Sequence, residues 1–118
     1  MKQIAIVAYQ QSDSVSDAGA VNEVELIMPV LARTFKQVGL NNAQDVDFVC
    51  SGSCDYLQGA AFAFVAGVDA LGAVPPIKES HVEMDAAWAL YESMLKIRMG
   101  HADSALVYGF GKSSPGEL

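Results

Sequence analysis

The stretch from Met84 to Met99 reads as a helix that is apolar around most of its circumference, and no other segment restricts the fold as strongly. Met84, Ala87, Trp88, Tyr91, Met94 and Leu95 recur at the spacing of one helix face, while Ala86, Ala89, Leu90 and Ile97 carry apolar character to the other side. The polar positions are Asp85, Glu92, Ser93, Lys96 and Arg98, with Glu92 and Lys96 spaced to pair one turn apart. Such a helix belongs between two covering layers. Half a sheet cannot supply both, so the pattern predicts a large apolar surface that other protein must cover.

The flanking segments define the layers. Ile4–Tyr9 (IAIVAY) is a continuous apolar run with β-branched residues, the pattern of a strand covered on both faces. After a polar loop, Asn22 and Glu25 have the spacing of a capping box and open a helix that closes at Gly39, with Leu26, Val30, Leu31, Phe35 and Val38 on its buried side. Pro29 lies inside this helix and is expected to shorten or kink it. Asp45–Cys50 reads as a second strand, Leu57–Leu71 as a second helix, Ile77–Val82 as a third strand and Ser104–Tyr108 as a fourth. The order β-α-β-α-β-α-β predicts an α/β fold with a mostly parallel sheet joined by helical crossovers.

Composition narrows the function classes. The 118 residues suffice for a single domain, and 52% hydrophobic against 18% charged residues is the balance of a chain with a packed core. A net charge of −7 has the wrong sign for phosphate backbones, so nucleic acid is excluded as an expected partner. The apolar stretch Tyr56–Val68 stops at Asp69, short of the roughly 18 residues a membrane span requires. Lys2 leads into a strand-like run rather than a signal core, and the expected localisation is cytoplasmic. Cys50 and Cys54 are too few for a disulfide framework and read as small, partly buried thiols.

Chemistry-bearing side chains concentrate ahead of the apolar helix. Glu79, His81, Glu83 and Asp85 occupy every second position, and an extended backbone would put the first three on one face. Acids around an imidazole could bind a divalent cation or perform acid–base catalysis, and they could equally form an exposed strand edge or a polar interface. No fourth ligand is in evidence, and no metal is expected. Glu83 stands at the start of the helix, where a carboxylate is stabilised whether its role is chemical or structural. The loop GFGKSSPG lacks the spacing of a phosphate-binding motif.

The run VPPIKESHVEMDAAWALYESMLKIRMGHADSALVYGFGKSSP, from Val74 to Pro115, resembles the N-terminal half of thiolases. There a strand leads into the nucleophile loop, an Ala-rich buried helix, a G-x-A-D turn, an apolar strand and a glycine- and serine-rich loop. Gly100–Asp103 is similar to the turn and Gly109–Ser114 to the final loop, and the element order extends the resemblance over the whole chain. The thiolase nucleophile position falls on Glu83, and a carboxylate cannot carry the acyl group as a thioester. The resemblance is therefore nearest to nonthiolytic thiolase-like proteins related to the sterol-carrier-protein-X type, the lipid-transfer proteins.

The resemblance implies that residues 1–118 form a thiolase-like N-terminal domain whose C-terminal half lies outside this sequence. It implies a coenzyme A thioester as substrate, no resident cofactor, and formation or cleavage of a C–C bond of retro-aldolase type in lipid or steroid side-chain metabolism. The nucleophile position makes Glu83 the catalytic candidate, as acid, base or hydrogen-bonding group; His81, where thiolases have no catalytic histidine, and Asp85 join it as candidates that tune its pKa, with Met84, Ser113 and Ser114 as substrate-binding positions. The resemblance further implies a homodimer or higher oligomer, joined through the strand Ile77–Val82, and an OB-fold and zinc-ribbon partner protein. A noncatalytic acyl-CoA or lipid carrier, or a scaffold subunit, is the alternative, and an unrelated α/β domain a third reading.

Overall fold

The computed structural model describes residues 2–15, 17–72 and 78–112. It is an α/β fold built on a three-stranded, all-parallel sheet. In chain order the elements are α1 (Glu23–Val38), a short 3-10 turn (Ala43–Asp45), β1 (Phe48–Gly52), α2 (Asp55–Gln58), α3 (Phe64–Leu71), β2 (Glu79–Val82), α4 (Ala86–Arg98) and β3 (Ala105–Gly109). β1 lies between the other two strands, paired with β2 from Val49↔Glu79 to Gly52↔Val82 and with β3 from Phe48↔Ala105 to Gly52↔Gly109.

All of β1 is buried, because side-chain alternation feeds two cores. Val49 points with Leu106 and Tyr108 toward Ile27, Leu31 and Phe35 of α1 and Leu71 of α3. Phe48 and Cys50 point the other way, toward Ala89 of α4 and Ala102. Asp47 ties the entrance of β1 to that of β3 by accepting from the backbone N–H groups of Asp103 and Ser104. The Asp103 bond in particular lowers the Asp47 pKa below the ordinary carboxylate value.

Helix α1 forms as its capping signals predict: the Asn22 side chain accepts from the Glu25 N–H, and Glu25 accepts from the Asn22 N–H. Gly39 ends it in the left-handed conformation, and Pro29 sits in the helix without ending it. The expected helix from Leu57 to Leu71 is instead two short helices. Asp55 is the cause, because its carboxylate accepts from the amides of Phe62 and Ala63. A side chain that captures backbone donors competes with the helical ladder, and here it holds Phe62 at a φ of 57°, unusual for a residue with a Cβ.

Two further expectations change. Ile4–Tyr9 carries no strand assignment: its neighbours are tied by side chains, Lys2 to Asp103 and Gln10 to Gln37, and Ile6, Val7 and Tyr9 remain exposed. β-branched composition favours an extended segment, but a ladder also needs a neighbouring edge at the right distance. Helix α4 is buried on one side only, and that side is its small one: Ala89 and Ser93 are buried while Trp88, Leu90, Tyr91 and Leu95 stay exposed. The described chain offers this helix one sheet face, and the layer that would cover the larger side chains is not supplied by these residues.

The small side wins because the strand ends carry glycine. A Cβ on Gly52 would lie 2.3 Å from the backbone carbonyl of Asp85, and one on Gly109 would lie 2.5 Å from the Ala86 Cβ. The N-terminus of α4 thus rests directly on the backbone of β1 and β3. Gly52→Ala forces that contact apart and is expected to cost about 1–3 kcal/mol or more, measured by urea denaturation. Gly111→Ala, with open space around its Cβ, serves as the control and should change stability by no more than about 0.5 kcal/mol.

Candidate functional site

The carboxyl ends of the parallel strands meet where Gly52, Val82 and Gly109 stand side by side, the edge at which α/β sheets commonly bind ligands. The register pairs Ser51 with His81. Their side chains meet accordingly, with Ser51 Oγ 2.9 Å from His81 Nδ1. The other ring nitrogen, Nε2, lies 3.1 Å from Glu83 Oε2. The second carboxylate oxygen of Glu83 accepts from the backbone N–H of Asp55 at 2.6 Å, which links the end of β2 to the start of α2. Phe64 of α3 stacks on the imidazole with ring centroids 4.9 Å apart.

This line of groups runs from the interior to solvent. Ser51 is 3% exposed, whereas the side chains of His81 and Glu83 are 18% and 52% exposed. Behind Ser51 stands Tyr108, whose ring lies against Gly67 so closely that a Cβ there would be 2.7 Å from the phenol oxygen. Burial raises the Tyr108 pKa to about 12, partly offset by a hydrogen bond from the Ser51 side.

Of the residues singled out from sequence, His81 and Glu83 are brought together. Asp85 is not part of the pair: its carboxylate caps α4, accepting from the amides of Ala87 and Trp88. Glu83 therefore binds the amide of a neighbouring segment, and the N-terminus of α4 belongs to Asp85. Met84 is exposed between them, and Ser113 and Ser114 lie outside the described residues. Ser51 was not visible as a site residue in the sequence; its signal is the parallel register, which places the serine ending one strand opposite the histidine of the next. Among the described residues no three His, Cys, Asp or Glu side chains are grouped to hold a metal ion.

The Cys50 thiol stands apart from this line. Cys50 faces the α4 side of the sheet, and burial, reinforced by nearby Glu92, raises its pKa to about 11. Cys54 precedes α2 and is partly exposed. Ser53 Oγ and both amide atoms of Gln58 are buried without a hydrogen-bond partner among the described residues, on the loop and helix that Glu83 ties down. Two surface hollows lie elsewhere, one along α1 beside Leu31 and Phe35, another at the opposite end of the sheet beside Phe48, Lys96 and His101. The Glu83 side chain, 52% exposed, stands at an open edge.

Comparison with known proteins adds no relative: no family model, curated protein or solved structure matches this chain. Among the described residues no helix is long and apolar enough to cross a membrane.

The raised values of Cys50 and Tyr108 have a consequence for stability. Each group binds its proton more tightly when folded, so its contribution is complete below the unfolded pKa and is lost as pH rises through the folded one. Stability should therefore fall as pH climbs from about 9 toward about 12, following the shifts from 9.0 to about 11 for Cys50 and from 10.0 to about 12 for Tyr108. Denaturation curves across this range should show a shallower decline for Tyr108→Phe above about pH 10, where a residue that cannot ionise removes the penalty.

Proposed function

We propose that this chain is the site-bearing N-terminal part of a thiolase-like enzyme that acts on acyl-CoA in lipid or steroid side-chain metabolism. It forms or cleaves a C–C bond by acid–base chemistry, without a cysteine nucleophile. The observation that carries the reading is the hydrogen-bonded line from Ser51 through His81 to Glu83 at the carboxyl edge of the sheet. A carboxylate backed by an imidazole and exposed at an open edge is equipped to take and return a proton. The thiol nearest the sheet centre supports the same reading, since a Cys50 pKa of about 11 keeps the sulfur protonated and poorly nucleophilic near neutral pH.

In the cleavage direction, Glu83 takes the proton of the β-hydroxyl group. The O–H electron pair becomes the new carbonyl bond, the Cα–Cβ bond breaks, and its electrons pass into the thioester as an enolate. Protonation at Cα completes the acyl-CoA product. Groups that stabilise the enolate come from outside these residues, which fits a site whose Glu83 side chain is half in solvent. The uncovered outer side of α4 fits the same picture, with a second copy or a further thiolase-fold half as its cover and an OB-fold, zinc-ribbon protein as an additional partner.

That apolar helix face also favours a second reading, a noncatalytic carrier or scaffold that holds acyl-CoA or lipid. The test uses the assembly as purified from its source cells, supplied with a β-hydroxyacyl-CoA. Glu83→Gln should lower kcat by about 100-fold or more, the usual contribution of a positioned acid or base. Unchanged turnover would remove Glu83 from the mechanism, and wild-type assembly that binds the thioester but leaves it intact would favour the carrier.

A further inference from the structure

We infer that Ser51 is a positioning residue for His81 and that it acts through the imidazole rather than on substrate; the activity arm of its test rests on the acid–base reading of Glu83. With 3% of its surface exposed, Ser51 is too deeply placed to meet a substrate, yet its Oγ lies 2.9 Å from His81 Nδ1. The imidazole has a different restraint on each side. Ser51 holds Nδ1, Glu83 holds Nε2, and Phe64 covers one face of the ring.

The chemistry of the donors fixes the direction of the line. Glu83 as a carboxylate has no hydrogen to give, so Nε2 carries the hydrogen that the 3.1 Å contact needs. In the neutral ring Nδ1 is then the acceptor, and the Ser51 O–H donates to it. When His81 takes a second proton, Nδ1–H becomes a donor and the same hydroxyl rotates to accept. A hydroxyl can serve both protonation states without moving its oxygen; the methyl group of alanine serves neither.

Ser51 also occupies its place for a reason written into the sheet. It is the register partner of His81 on the adjacent parallel strand, so its oxygen is set by backbone pairing rather than by a flexible loop. The Tyr108 phenol behind it closes the interior side. Losing the Ser51 hydroxyl leaves Nδ1 facing a buried surface with no partner, and the ring gains freedom to turn its Nε2 away from Glu83.

Two measurements on Ser51→Ala and Ser51→Thr test this. Proton NMR of the wild-type protein should show a slowly exchanging, low-field His81 Nε2–H resonance, assigned by its absence in His81→Asn. Ser51→Ala should lose that resonance while the backbone amide spectrum stays dispersed, and Ser51→Thr, which keeps the hydroxyl, should retain it. In the intact assembly Ser51→Ala should lower kcat on the order of 100-fold, as misplacement of a catalytic group does, with KM nearly unchanged and with recovery in Ser51→Thr. An Nε2–H resonance that persists in Ser51→Ala overturns the inference, as does a raised KM at unchanged kcat. An assembly in which Ser51→Ala loses the resonance but wild type shows no C–C bond turnover leaves the positioning role standing and sinks the acid–base reading alone.

Discussion

The register between β1 and β2 is the constraint on which the rest of the structure depends. In a parallel pair, a shift of one residue turns every side chain of one strand to the opposite face. With Ser51 opposite His81, the imidazole faces the α1 and α3 layer, beside Phe64 and near Tyr108. A slip by one position would send His81 into the Cys50 and Ala89 core and away from both Ser51 and Phe64. The same register sets Gly52 level with Val82 and Gly109, which gives α4 a flat backbone ledge to rest on. One pairing thus decides both the polar line and the seat of the helix that follows it.

That polar line lies at the end of an otherwise apolar layer, and burial of polar groups is tolerated only where they are satisfied. Ser51 and His81 satisfy one another, and Glu83 closes the line with a charge placed partly in water. Asp55 performs a related task nearby. Its amide goes to Glu83 while its carboxylate takes two amides from the turn before α3. The result is a network in which β2, α2 and α3 share hydrogen bonds. Ser53 and Gln58, buried without partners on the same loop, mark where this network is incomplete.

Much of this was legible in the sequence wherever a local rule decides the outcome. The Asn22 and Glu25 spacing defined the start of α1, glycine its end, and the apolar runs at β1 and β3 the parallel core. Local rules failed where distant residues compete. Asp55 interrupts the second helix from seven and eight positions away, and IAIVAY has strand composition yet joins no ladder, its neighbours being held by side-chain bonds. Within α4, both sides of the helix satisfied an apolar periodicity, so sequence could not say which would face the sheet. Two glycines on other strands made that choice. His81 and Glu83 were identifiable by their spacing, whereas Ser51 needed the register, a property of two strands that neither strand displays alone.

The Glu83 carboxylate and the uncovered side of α4 lie to opposite sides of the sheet. Glu83 meets His81 and the Asp55 amide on the side of α1 and α3, whereas α4 packs on the Phe48 and Cys50 side and turns Trp88, Leu90, Tyr91 and Leu95 outward. Met84 stands exposed between Glu83 and the Asp85 cap. A layer laid over α4 would bury large apolar side chains, which stabilises the association. Covering the Glu83 carboxylate is a separate step, and its desolvation opposes association unless the cover brings a donor to it. The apolar helix face is therefore the part of the molecule whose burial favours a covering layer, and the carboxylate is the part whose desolvation limits one.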